Sequence, residues 1–478
     1  MLDDCSRVMR QVLPRLVLPL LLTAAAVGAW IASDRLGDLS VEPANAEVAD
    51  VIESPLVSVA RLPDVARSSQ RSALQQAALD ELPEPAASLA CAAVYLDGEL
   101  LWSSNADAAL VPGFAQLAVT GHTALDTLGA DHRFETRALV ATEPDEQGIV
   151  NSALYIEGGG DPVLMSFLYR FSFSPVLSTW TPVEDLADAI TEAGVSQIQG
   201  SVIGVDTRFD QVRFVPGLAE EILESGVVGL TSALQLDDGR SATGESDPAG
   251  ALSDPAASAV STIDDLLEER GITVAGIPRS ISADEELPEL TVLATVASPP
   301  LNEIVFQMLA VNDASAAEML VKELGVQLRG TGSTQAGGEA IVRTADGLGI
   351  DLTVAPRGGS GLDPVSFSSC REVGGFVAAI DSDSPTLAEL PAYDLPGVYD
   401  GELAAVEIDT PFGLVGGRIA ETASFVGRTT DDGPSLTVVS IINRPGGAGV
   451  ADTNYHRALL GQIDALRAAF SPTPPESQ

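Results

Sequence analysis

Apolar and polar residues follow each other along this chain with two different periods, and each period predicts one type of secondary structure. From Cys91 the sequence CAAVYL is followed by Gly98 and then by LLWSS, which predicts a β-hairpin beside the core. Pro112 opens a stretch whose apolar residues recur at spacings of three and four, and Gly129 closes it. That spacing places the apolar side chains on one face of a helix. The early chain therefore consists of a hairpin followed by an amphipathic helix.

The rest of the chain mixes helical and strand patterns. A segment rich in Gly, Pro, Ser and Asp at 241–256 predicts an exposed loop. The two predicted strands 418–428 and 435–443 are separated by an Asp-Asp-Gly-Pro turn. The other predicted elements are helices at 183–193, 256–270, 301–311, 314–324 and 452–470.

The N-terminal segment combines a basic flank with an apolar run. Arg7, Arg10 and Arg15 precede residues 16–32, which carry no charge and would form a helix of about 25 Å. This order is typical of a signal peptide or signal anchor with residues 1–15 on the cytoplasmic side. The alternative is a buried core helix. Export would place the rest of the protein outside the cytoplasmic membrane.

Two further segments have the composition of connecting chain. Residues 33–87 are acidic and rich in small residues, which predicts a linker with one helix near 69–82. The terminal residues 471–478, SPTPPESQ, predict a disordered tail.

Composition limits the classes of function. The chain has 478 residues, enough for two or three packed units, and 45% of them are hydrophobic. Its 25 basic and 68 acidic residues give a formal charge of −43, which excludes nucleic acid as a partner because phosphates would be repelled. The chain contains a single lysine, Lys322.

Cysteine and histidine are scarce. The three histidines are far apart and the three cysteines have no zinc-ligand spacing, so we expect neither a metal nor a cofactor. If the chain is exported, Cys5 stays on the inner side and only Cys91 and Cys370 share an oxidising compartment. We therefore predict a disulfide between them. The alternative is two separately buried thiols.

Six short stretches, in order along the chain, resemble the penicillin-binding proteins that act as D-alanyl-D-alanine carboxypeptidases and endopeptidases on peptidoglycan. They are ALDTLGADHRF at 124–134, YIEGGGDP at 155–162, GSVIGVDTRFD at 200–210, SPPLNEI at 298–304, AEMLVKELG at 317–325, and GST at 332–334 with GSGL at 359–362.

The resemblance implies an α+β fold in which helices sandwich an antiparallel sheet, as in the β-lactamase and transpeptidase-like proteins. Residues 88–140 and 297–470 would form the penicillin-recognising core. Residues 141–296 would form an inserted, β-rich α+β domain.

Enzymes of this family carry three catalytic motifs, and all three are degenerate in this chain. The nucleophile and base of S-x-x-K fall on Phe114 and Leu117. S-D-N falls on Asn312, Asp313 and Ala314, and K-T-G, which lies on an edge strand, falls on Glu421, Thr422 and Ala423. An anion at Glu421 would repel the substrate carboxylate that the family's lysine attracts.

The lysine count supports this interpretation without any alignment. Lys322 is preceded three residues earlier by Met319 and followed by Glu323, so neither S-x-x-K nor K-T-G occurs anywhere in the chain. Arginine remains protonated and does not replace lysine as a base.

These positions also have structural interpretations. Phe114 and Leu117 fit the core face of a helix, Asp313 fits an N-cap, and Thr422 fits an ordinary strand position. We prefer the core interpretation for Phe114 and Leu117 over a new binding role.

The sequence therefore predicts an exported or membrane-anchored, catalytically inactive relative of the carboxypeptidases, which acts as a scaffold or regulator. Its partners would be cell-wall peptidoglycan or cell-wall proteins, and the cytoplasmic membrane through the N-terminal segment. One alternative is an active serine-type carboxypeptidase with a relocated nucleophile, Ser360 or Ser424. Another is a module that binds peptidoglycan stem peptides without chemistry.

Overall fold

The computed structural model describes residues 62–87, 89–173, 178–215, 217–218, 222, 227–240, 254–281, 285–395, 402–403 and 405–471. The chain divides into two compact units, Met1–Ser68 and Ser69–Gln478. The predicted anchor at 16–32 and the predicted tail from 472 onward lie outside the described residues. Within the described ranges, every helix is too short or too polar to cross a lipid bilayer.

The predicted helices are present, some with different bounds, and others such as those at Thr334–Gly347 and Cys370–Ala379 were not predicted. The predicted helix 452–470 consists of two helices, because the chain breaks at Gly461 and Gln462. The helix predicted near 69–82 begins earlier, at Leu62. The helices are α1 Leu62–Asp80, α2 Gln116–Leu128, α3 Phe167–Phe173, α4 Val183–Glu192, α5 Pro255–Glu269, α6 Leu301–Val311, α7 Ala314–Arg329, α8 Thr334–Gly347, α9 Cys370–Ala379, α10 Pro385–Ala388, α11 Val450–Leu460 and α12 Ile463–Phe470.

In the described ranges, the strands form two five-stranded sheets and two smaller ones. They are β1 Ala90–Leu96, β2 Glu99–Ser104, β3 Glu135–Val140, β4 Ile149–Val150, β5 Leu154–Glu157, β6 Leu164–Met165, β7 Thr181–Pro182, β8 Gln197–Ile198, β9 Val202–Val205, β10 Thr273–Val274, β11 Arg279–Ser280, β12 Thr291–Ala297, β13 Phe412–Ile419, β14 Thr422–Thr429 and β15 Leu436–Asn443.

The first sheet has the order β13-β14-β15-β1-β2, and all its neighbouring strands are antiparallel. Ala93 and Tyr95 of β1 belong to a core cluster with α2, α6, α7 and α9. Ala92 and Val94 belong to a second cluster with α11 and α12 on the other face. Because both faces are covered, β1 is an unbroken apolar run. The predicted sandwich of helices around an antiparallel sheet is confirmed.

The second large sheet has the order β11-β9-β5-β3-β12 and is mixed. β5 is parallel to β9 and antiparallel to β3. Its apolar residues pack against α4 and α5 in a core of their own. Since β3 and β12 belong to this sheet, it begins at Glu135 and ends at Ala297, slightly outside the predicted boundaries 141–296.

The predicted disulfide is confirmed. Cys91 in β1 is bonded to Cys370 at the first position of α9, across 279 residues of sequence. Both residues are fully buried. The bond fastens the N-terminal part of the central sheet to a helix that packs on it.

Candidate functional site

The turn that leads into α2 lies against the central sheet. Gly113 has a φ of 55°, and its N–H donates to the Gly361 carbonyl at 3.0 Å. The Ala115 N–H donates to the Ser424 hydroxyl in β14 at 3.2 Å. A Cβ at Gly113 would lie 2.6 Å from Thr422 Cγ2, so the approach requires glycine. The turn therefore holds Phe114, which comes next, at a fixed distance from the sheet.

Phe114 and Leu117 are core residues, with 5% and 0% of their surface exposed. The Phe114 ring lies against β13, because a Cβ on Gly417 would be 3.0 Å from its Cδ2 atom. The Asn312 amide lies on the same glycine, and its Nδ2–H donates to the Gly416 carbonyl at 3.1 Å. Phe114 and Asn312 together occupy the space between the start of α2 and the edge strand.

Asn312 and Asp313 join two helices. Asn312 ends α6 in the left-handed conformation, with a φ of 54°. Asp313 caps α7 by accepting a hydrogen bond from the Ala316 N–H at 2.9 Å, as its structural interpretation predicted. Ala314 follows as the first, buried residue of α7.

A buried acidic group lies next to this cap. Desolvation and the neighbouring Asp238 carboxylate raise the pKa of Asp313 to about 7. Asp238 accepts a hydrogen bond from the Tyr169 hydroxyl at 2.7 Å, and burial raises its pKa as well. Within the described part of the chain, no group of three or more His, Cys, Asp or Glu residues is arranged to hold a metal ion.

The structure corrects the placement of the third motif. The segment predicted as one strand, 418–428, contains a turn at Ala420, whose φ is 46°, so β13 ends before it and β14 begins after it. Glu421 lies in this turn, is exposed, and accepts a hydrogen bond from the Gly446 N–H at 2.7 Å. Thr422 and Ala423 begin β14, which is an interior strand.

The edge strand β13 therefore meets Phe114 at Gly417, while Thr422 and Ser424 of the neighbouring strand β14 lie against Gly113. The expected repulsion between Glu421 and a substrate carboxylate stays a prediction. The signal that was missed is the Gly-Gly pair inside the apolar pattern of β13, since glycine within a strand often marks the close approach of another group.

The only lysine of the chain, Lys322, connects two parts of the structure. Lys322 is buried in α7, and its ammonium forms an ion pair with Asp210. It also donates to the Val212 carbonyl at 2.8 Å. These bonds connect α7 to the segment that follows β9.

The two alternative nucleophiles are fully buried. The Ser360 hydroxyl donates to Glu318 Oε1 at 2.6 Å, and burial raises the pKa of Glu318. The Ser424 hydroxyl accepts the Ala115 N–H described above. Both serines have 0% exposure, so a substrate would reach them only after local opening of the structure.

The architecture defines the fold of the protein. A helix-flanked antiparallel sheet with a second sheet domain inserted into the chain is the arrangement that the resemblance to penicillin-recognising proteins implies. Penicillin binding protein 4 (dacB) from Haemophilus influenzae has a similar fold, with a TM-score of 0.63 and 17% sequence identity over 82% of this chain and 99% of that chain. At this identity the likeness establishes the fold alone.

The sequence identifies the particular family. The model of the D-Ala-D-Ala carboxypeptidase 3 (S13) family matches residues 70–250 and 241–390, which is more than half of the chain. The protein therefore belongs to that family, and the predicted resemblance is confirmed.

Two curated relatives extend the comparison. The D-alanyl-D-alanine carboxypeptidase of Actinomadura sp. is 25% identical over 332 residues, which cover 55% of this chain but only 59% of that protein. Carboxypeptidase DacB of Mycolicibacterium smegmatis is 26% identical over 382 residues, which cover 76% of this chain and 78% of the relative.

Proposed function

We propose that this protein is an exported member of the S13 family that does not form an acyl-enzyme, and that it acts at the cell wall as a scaffold or regulator. The observation that carries the proposal is the position of Phe114. A buried phenylalanine that packs on Gly417 stands where the resemblance puts the serine nucleophile. A phenyl ring has neither a lone pair to attack a carbonyl nor a proton to donate.

The contacts of Lys322 support the same proposal. The family's chemistry uses a lysine beside the nucleophile to accept its proton. In this chain the only lysine is buried in an ion pair with Asp210. At these positions the chain therefore has neither the serine nor the lysine of the family's catalytic pair.

Two features support export. The arginines before the apolar run 16–32 are typical of a segment that directs the following chain across the membrane. The disulfide between Cys91 and Cys370 is of the kind that persists in oxidising compartments. Because relatives are named as D-alanyl-D-alanine carboxypeptidases, the cell wall is the place where we expect the protein to act.

Covalent labelling tests the absence of acylation. The full chain is incubated with a fluorescent penicillin, and Haemophilus influenzae penicillin binding protein 4 serves as the positive control. We expect a fluorescent band for the control and none for this chain. A covalent band on this chain would contradict the proposal.

A working carboxypeptidase with a relocated nucleophile is the second candidate, and the Ser360–Glu318 contact favours it. A serine hydroxyl beside a carboxyl group of raised pKa has the elements of a nucleophile and its base. If a band forms, the variants Ser360→Ala and Ser424→Ala identify its site. Loss of label in Ser360→Ala alone would establish this candidate.

Sedimentation with envelopes tests the proposed place of action. We expect the chain to sediment with native cell envelopes. Sacculi stripped of proteins then separate the partners: binding to them identifies peptidoglycan, and binding only to native envelopes identifies a wall protein. A chain that remains in the supernatant in both cases would contradict a role at the wall.

A further inference from the structure

A cavity of about 510 Å³ lies where the inserted sheet meets the end of α7. β5 and β9 are parallel, so their carboxyl ends, at Glu157 and Val205, reach the same edge of the sheet. β3 is antiparallel to β5 and begins at this edge, with Arg137 paired to Glu157 across the two strands. The carboxyl ends of parallel strands are a common position for ligand sites. The volume is within the range of small-molecule sites.

Two of the three arginines around the cavity are paired with carboxylates. Arg137 contacts Glu135 at 2.6 Å and Glu157 at 3.6 Å. Arg208 forms two hydrogen bonds, at 2.6 and 2.8 Å, to Glu323, whose side chain is fully buried. These contacts hold charges of both signs in place on the cavity wall.

The third arginine differs from the other two. Arg133 donates to the Ser298 carbonyl at 2.6 Å, and among the described residues no carboxylate lies within ion-pair distance of it. Its guanidinium, which has five N–H donors, therefore keeps most of its donors available. Burial lowers the pKa of the neighbouring His132, which favours the uncharged form of that ring.

Other residues of the cavity wall are suited to a positive group. Glu135 and Glu157 share the single guanidinium of Arg137, so one negative charge between them is not compensated. Val326 in the last turn of α7 and Gly330, which caps that helix, also border the cavity. The C-terminal end of a helix carries a partial negative charge.

The cavity has equal numbers of positive and negative side chains, although the whole chain is strongly acidic. The positive ones are three arginines and the negative ones three glutamates: Arg133, Arg137, Arg208, Glu135, Glu157 and the buried Glu323, which is paired with Arg208. The whole chain has a formal charge of −43, which disfavours an anion over most of its surface. The cavity thus combines an available cation with an uncompensated anion inside an acidic protein.

We propose that this cavity binds a zwitterionic peptide of about dipeptide size. The carboxylate of the peptide pairs with Arg133, and its ammonium group lies between Glu135, Glu157 and the end of α7. This site is separate from the space filled by Phe114, and the inference holds whether or not the chain forms an acyl-enzyme.

Calorimetry on the full chain with three charge forms of one ligand tests the site. The probes are alanyl-alanine in its D,D and L,L forms, its N-acetyl derivative, which lacks the ammonium, and its amide, which lacks the carboxylate. We expect a Kd of about 1 mM or below for at least one zwitterion, and at least about tenfold weaker binding of both blocked forms. No binding of either zwitterion, or equal binding of a blocked form, would overturn the proposal.

Matched arginine variants locate the binding. Arg133→Gln should weaken zwitterion binding at least about tenfold. Arg329→Gln, at the same end of α7 but paired with Glu339 on the surface, should leave binding unchanged. Glu157→Gln gives an independent test, because it should weaken binding of the zwitterion and of the amide but not of the N-acetyl form. Equal effects of Arg133→Gln and Arg329→Gln would refute the assignment to this cavity.

Discussion

At the scale of single residues, the surroundings of Phe114 and Leu117 show what these two side chains contribute in place of the motif's serine and lysine. Phe114 is enclosed by the turn at Gly113 and by Gly417 on the edge strand. Leu117 is fully buried one turn further along the helix. An apolar pair in these positions adds to the buried core around α2 and so contributes to the stability of the fold.

Phe114→Ala should destabilise the protein substantially. Removing a buried phenyl ring leaves a cavity, and such substitutions cost about 3–5 kcal/mol of the free energy of unfolding. Urea unfolding followed by circular dichroism measures the change. Phe171→Ala is the matched control, because that side chain is 66% exposed and should cost less than about 1 kcal/mol. Equal costs for the two variants would show that Phe114 does not contribute to the core.

At the scale of secondary structure elements, β13 and β14 show how a single turn changes an interpretation. No Gly, Asn or Pro marks the turn at Ala420, so the segment 418–428 was predicted as one strand. Because the chain turns here, Glu421 lies in the turn, and the residue of the edge strand that contacts Phe114 is Gly417. Whether a strand lies at the edge of a sheet depends on which strands pair with it. The apolar and polar pattern of that strand alone does not predict this pairing.

The disulfide between β1 and α9 should stabilise the protein strongly. It closes a loop of 279 residues, and the chain-entropy relation assigns a loop of that length about 5–6 kcal/mol of restriction of the unfolded chain. The double variant Cys91→Ala/Cys370→Ala should lose stability of this size in urea unfolding.

A reducing agent provides the control for this prediction. It should lower the unfolding midpoint of the wild-type protein and leave that of the double variant unchanged. A wild-type midpoint that is insensitive to full reduction would contradict the prediction.

At the scale of the whole molecule, the charge of −43 is the dominant electrostatic property. Many of the arginines are already paired with carboxylates, for example Arg444 with Asp452 and Arg371 with Asp107. The remaining acidic residues repel each other across the folded surface. Repulsion of this kind acts over the Debye length and weakens as salt is added.

Salt should therefore stabilise the protein. Raising NaCl from about 0.1 M to about 1 M shortens the Debye length from about 10 Å to about 3 Å. We expect a gain of about 1 kcal/mol, which corresponds to about 1 °C in Tm by calorimetry for a chain of this length. Potassium chloride should have the same effect if screening is the cause. A Tm that falls or stays constant would contradict this account.

The sequence by itself determined the features that depend on local pattern or on composition. The hairpin at β1 and β2, the helix after Pro112, the cap at Asp313 and the family followed from neighbouring residues or from short stretches in order. The absence of a serine–lysine motif follows from the one position of Lys322 and needs no structure. The disulfide followed from compartment and cysteine count.

Only the tertiary structure decided which distant residues meet. The contact of Phe114 with Gly417 joins positions about 300 residues apart, and the cavity combines Arg133 with Glu157 and the end of α7. Such contacts form when strands pair and loops close, and the free energy of closing a long loop depends only weakly on its length. Local pattern therefore carries little information about which of many possible closures occurs, and the packing of the two sheets against α7 selects the one that is observed.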